Sequence, residues 1–90
     1  MPYIKNDRRN EMEGIMGIGC QGVADVINTP GELNYIITRV ILEYLKKKDS
    51  IRYTDLNEVI GVLECAKQEF YRRAVVPYED EKIKENEDVY

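Results

Sequence analysis

The side chains best equipped for chemistry cluster late in the chain: Tyr71, Arg72, Arg73 and Tyr78. Guanidinium groups clamp phosphate or carboxylate through paired hydrogen bonds, and tyrosine rings offer a stacking surface. This pattern describes a pocket for a small anionic ligand, a nucleotide or phosphate, completed by a second subunit. Glu69 lies three and four residues before the two arginines, so the same spacing also describes an ordinary helix-surface ion network. Carboxylate pairs are the other candidates. Asp55-x-x-Glu58 and Glu85-x-x-Asp88 have the spacing that a magnesium-dependent all-α nucleotide hydrolase repeats on facing helices. Here the first sits at a helix start and the second in an acidic tail, so capping and solvation account for them. Glu64 and Glu69, five residues apart, fall on different faces. No catalytic residue, metal ligand set or cofactor is assigned, and the hydrolase remains a remote alternative.

The 90 residues contain no histidine, which excludes Ser-His-Asp triads, Cys-His dyads and histidine zinc sites. Gly17-Ile18-Gly19-Cys20-Gln21-Gly22 has the bare GxGxxG spacing, but no strand precedes it and no βαβ pattern surrounds it, so a dinucleotide fold is rejected. Cys20 and Cys65 form no CxxC pair; one disulfide is geometrically possible, and a pair of buried, reduced thiols is the expected reading. Six of the 17 acidic residues but only two of the 13 basic ones lie in residues 78–90, so the net charge of −4 resides there and the first 77 residues balance. An acidic tail repels phosphate backbones and argues against nucleic acid as a partner. No apolar run reaches the roughly 18 residues of a membrane span. The N-terminal residues lack a signal-peptide pattern, and Pro2 stands where myristoylation needs glycine. The expectation is a cytoplasmic protein.

Two helices must position these groups. Leu33, Ile36, Ile37, Val40, Ile41, Tyr44 and Leu45 form one stripe of period 3.6. Thr29-Pro30-Gly31-Glu32 writes its start, with Thr29 as N-cap, Pro30 in the first helical position and Glu32 closing a capping box. Lys46, Lys47 and Lys48 complement the exposed carbonyls of its last turn, a simpler account of them than a phosphate site. After a short connection, Thr54 or Asp55 caps a second helix whose stripe is Leu56, Val59, Ile60, Leu63, Ala66, Phe70 and Ala74. Pro77 is expected to end it near Val75. The fold class is all-α: an antiparallel helical hairpin of about residues 30–48 and 54–76, within a core of 29–77. A Gly-rich, flexible or partly helical arm (1–28) precedes it, and an acidic tail (78–90) follows. Met12, Met16, Gly19, Val23 and Val26 permit a helix in the arm, at a cost of about 3–4 kcal/mol if its four glycines are all helical.

Each helix of a hairpin buries only the face toward its partner. Val62, Cys65, Tyr71, Val75 and Val76 widen the apolar arc of the second helix beyond that face. Gly61, costing about 1 kcal/mol relative to alanine, marks close backbone approach. Asn57, Gly61, Glu64, Gln68, Tyr71 and Val75 are therefore the candidate oligomer interface, and a homo-oligomeric helical bundle the expected assembly. Most of the seven tyrosines fit core edges or subunit interfaces.

The stretches Pro30-Gly31-Glu32-Leu33-Asn34-Tyr35, Asn57-Glu58-Val59-Ile60-Gly61-Val62-Leu63-Glu64-Cys65, Glu69-Phe70-Tyr71-Arg72-Arg73, Pro77-Tyr78-Glu79-Asp80 and Asp88-Val89-Tyr90 resemble short, uncharacterised proteins of tailed phages and prokaryotes. Proteins of this kind often end in Glu-Asn-Gly-Asp-Val-Tyr. Here Glu87 replaces the glycine, the residue that a tight positive-φ turn prefers. The resemblance implies a phage-like origin and no specific activity. Phages also encode small oligomeric proteins that sequester nucleotide signals, which keeps the anion-binding alternative in view. The leading expectation is a non-enzymatic helical oligomerisation or interaction module, with homo-oligomers and a further protein as partners.

Overall fold

A computed structural model describes residues 4–16 and 19–90, and within these every regular element is a helix. In chain order they are α1 (Asn6–Ile15), α2 (Gly19–Ala24), α3 (Pro30–Lys46), α4 (Tyr53–Phe70), a π-wound stretch (Tyr71–Val75) and α5 (Val76–Asn86). The chain divides into two units, one ending at Asp55 and one comprising mainly Leu56–Tyr90.

In the first unit, α3 begins as its residues dictate. Thr29 is extended, and its Oγ1 accepts the N–H of Glu32 at 3.1 Å. Glu32 Oε1 accepts the N–H of Asn28, one residue before the cap, at 2.7 Å. The first bond satisfies a donor that the opening helical turn leaves without a partner, and the second ties the residue before the cap to that turn. Arg39 and Lys46 pair with Glu43 on the outer face, at 2.6 and 3.1 Å. Leu45, 6% exposed, is the one buried apolar side chain among the described residues. Ile36 and Ile41 are half-buried, while Leu33, Ile37, Val40 and Tyr44 of the same stripe stay exposed. The N-terminal arm carries α1, with Gly14 inside it, and α2; Ile27 after them is half-buried. Gly17 and Ile18 of the GxGxxG spacing lie outside the described residues.

The start of α4 differs from the Thr54 or Asp55 cap expected. The helix begins at Tyr53, and Asp55 Oδ2 accepts the N–H of Arg52 at 2.9 Å while Asp55 N–H donates to the Arg52 carbonyl at 3.0 Å. Asp55 thus takes the third-position role of a capping box, with its partner three residues upstream rather than downstream.

In the second unit, Pro77 does not end the helix. A proline ring in a regular helix presses on the carbonyl one turn back and supplies no N–H. Here the preceding turn is widened: Val76 N–H bonds the Tyr71 carbonyl, five residues away. Pro77 then occupies the first turn of α5, where a missing donor costs little. The acidic tail is therefore helical as far as Asn86, carrying the ion pairs Lys82–Glu85 at 3.1 Å and Lys84–Glu81 at 3.7 Å. Immediately after it Glu87 adopts φ 64°, ψ 151°. The positive-φ turn is present although glycine is not. Asp88 Oδ1 accepts the Tyr90 N–H at 2.9 Å, closing a local turn beyond it.

Candidate functional site

Within one chain, the residues proposed to grip an anion are each engaged by a neighbour on their own helices. Glu69 takes both guanidiniums, Arg72 at 2.7 Å and Arg73 at 3.0 Å, as its spacing on the helix allows. Tyr71 donates its hydroxyl to Glu79 at 3.1 Å, and that carboxylate raises the phenol above its ordinary range through the hydrogen bond first and its charge second. Tyr78 lies beneath the ammonium of Lys82, 5.5 Å from the ring centre. A groove of about 470 Å³ does form here, between α5 and the turn after it, lined by Tyr71, Lys82, Ile83, Asp88 and Tyr90 among others. Arg72, Arg73 and Tyr78 are not among its walls.

The candidate interface residues lie where helical spacing puts them, and they are uncovered. Asn57, Gly61, Glu64, Gln68 and Tyr71 are exposed, and Val75 is half-buried. A side chain built at Gly61 would meet no atom within 4 Å. Gln68 donates to Glu64 at 3.1 Å, and Lys67 pairs with the same carboxylate at 3.0 Å. These bonds hold Glu64 below the usual carboxylate range, Lys67 contributing most. Leu56, Ile60, Leu63 and Phe70 of the main stripe are likewise exposed.

A second concavity, about 510 Å³, occupies the connection between α3 and α4 and is lined by Lys47, Lys48, Asp49, Ser50, Arg52 and Asp55. Asp55 is buried, and Lys48 pairs with it at 3.5 Å. The Arg52 N–H, outweighing the cost of burial, depresses its carboxyl, with Lys48 assisting. The ammoniums of Lys47 and Lys48 each stand 5.4 Å from the centre of the Tyr44 ring. The lysines alone gave only helix-end electrostatics; the signal for a pocket was Arg52-x-x-Asp55, whose capping pair folds the connection around them.

Both thiols are exposed, contrary to the buried pair expected, because so little of the chain is enclosed. Cys20 donates to Glu13 at 3.4 Å, a bond to a carboxylate that raises the thiol above its ordinary range. Among the described residues no group of three or more acidic or cysteine side chains is arranged to hold a metal ion. No described helix is long and apolar enough to cross a membrane.

These features define a small all-helical protein whose side chains are committed to caps and surface pairs while its apolar faces remain open. The chain belongs to a family described as a domain of unknown function (DUF6899), whose model matches residues 1–89. Neither the curated proteins nor the solved structures yield a match.

Proposed function

We propose that this chain is a non-enzymatic helical module that works by self-association, pairing α3–α4 hairpins into a bundle with further copies of itself. One observation carries this reading: Leu45 is the one apolar side chain enclosed among the described residues, while Leu56, Ile60, Leu63 and Phe70 stand open along α4. Contiguous apolar surface of this kind marks an interaction face. A second copy presenting the same face satisfies it by symmetry, with Gly61 allowing the backbones to approach. The interface comprises Asn57, Gly61, Glu64, Gln68, Tyr71 and Val75 together with that stripe. If the chain is phage-encoded, as the resemblance implies, such a module acts in the host cytoplasm. The nucleotide- or phosphate-binding alternative is weaker, since Glu69 already engages Arg72 and Arg73.

Light scattering on the purified chain at micromolar concentration tests the reading. A concentration-dependent mass above 10.5 kDa supports it, and a stably folded monomer at every concentration refutes it.

A further inference from the structure

The chain carries a concavity with more cations than acids and a separate acidic segment, and each holds charged groups with no salt-bridge partner among the described residues. In the concavity Lys48 is engaged with the buried Asp55. Among the described residues neither Lys47 nor Arg52 has a carboxylate in salt-bridge contact, and Asp49 is the other acid in the lining. The Tyr44 ring beside the lysines adds an aromatic surface. In the second unit, α5 stops at Asn86 and the positive φ of Glu87 turns the backbone out of the helix. Beyond that point Val89 is 93% exposed and Tyr90 wholly so. Among the described residues neither Glu87 nor Asp88 has a cation in salt-bridge contact.

We infer that Glu87-Asp88-Val89-Tyr90 of one copy docks in the Lys47–Arg52 concavity of a second copy. The carboxylates of Glu87 and Asp88 reach Lys47 and Arg52, and the Tyr90 ring lies against Tyr44 and the lysine stems. Asp55 holds the connection in shape without itself meeting the incoming acids, being turned inward onto Arg52 N–H and Lys48. A volume of about 510 Å³ falls within the roughly 300–1,000 Å³ of ordinary ligand clefts. Two copies exchanging their segments reciprocally satisfy both concavities and close the assembly. The inference deepens the self-association reading and rests on it, but through charged residues that the apolar face of α4 does not use.

Charge reversal in the full-length chain tests it. One variant carries Lys47→Glu and Arg52→Glu, the other Glu87→Lys and Asp88→Lys. Each alone sets like charges against each other, and its self-association, read by analytical ultracentrifugation at low salt, weakens by about tenfold. Mixed in equal amounts, the two have complementary segments and concavities in both directions, and association returns to within about threefold of the wild type. Salt at about 1 M, where the Debye length is about 3 Å, removes the difference between wild type and variants. Circular dichroism establishes that each variant keeps its helices; Lys47→Gln with Arg52→Gln serves if the reversed pair does not, with a loss of about threefold. A mixture no tighter than its components overturns the inference, since it indicates docking within one chain or another occupant such as a polyanion. Variants that associate like the wild type overturn it while leaving the apolar interface standing. A wild type that never associates overturns both.

Discussion

Truncating Phe70 to alanine removes the one phenylalanine of the chain, open on α4, without touching a side-chain cap or an ion pair. Phe70 is 68% exposed in the single chain. Complete burial of a phenylalanine contributes about 1.5–3 kcal/mol, so about 1–2 kcal/mol is still to be gained against a partner. In a two-fold interface the residue counts once per copy, giving about 2–4 kcal/mol, or roughly 30- to 700-fold in the dissociation constant. Alanine is the best helix former, so the helix content of the separated chain holds or rises. Sedimentation equilibrium over a concentration series, with circular dichroism on the same samples, reads both quantities. Unchanged association with unchanged helix content refutes the placement of Phe70 in the interface. A parallel Glu58→Ala variant, at an exposed polar position of α4, should associate as the wild type does.

Glu87→Gly should favour the turn after α5: it relieves backbone strain of about 1–3 kcal/mol and restores about 0.4–1 kcal/mol of unfolded-chain freedom, for a net gain of about 1 kcal/mol. Amide exchange at Tyr90 should slow about fivefold, and faster exchange would contradict the φ assigned to Glu87. Asp55 has a depressed carboxyl in the folded chain, so its stabilisation is complete above the ordinary carboxylate range and disappears as acid protonates it below that range. Thermal melts of the wild type and Asp55→Asn should therefore differ at neutral pH and converge in strong acid; a constant difference would refute the role given to the carboxylate. Cys20 in the Glu13→Gln variant should react faster with a thiol reagent near pH 8 than in the wild type, because the bond that raises the thiol is weakened. Equal rates would show that the contact does not form in solution.

How far these features could be read from residues depends on the range of the forces involved. Thr29, Pro30 and Glu32 act within one turn, and α3 begins where they say. The Glu69–Arg72–Arg73 network is equally local and forms as spaced. At Asp55 the residues are ambiguous, because Thr54, Asp55 and Glu58 offer overlapping cap patterns and only backbone geometry selects Arg52 as the partner. Pro77 misleads for a different reason: its cost can be absorbed by rewinding the turn before it, an option that no single residue announces. The exposure of Cys20 and Cys65 reflects how much neighbouring chain encloses them, a non-local property. Gly61 shows the same limit, since the space beside it is evident while its occupant is not.

The π-wound stretch has a consequence for α5. One surplus residue spliced into the winding shifts the phase of everything downstream by about 100°, the angle one residue subtends. Leu56, Leu63 and Phe70 recur every seventh position, and unbroken winding would put Pro77 next in that column. With the splice the column passes to Tyr78 instead. An aromatic ring thereby takes the place a rigid pyrrolidine would have held, and a single line of apolar groups is carried from α4 onto α5. Removing one residue between Tyr71 and Val75 would restore regular winding and leave that ring in the line, now seven positions after Phe70.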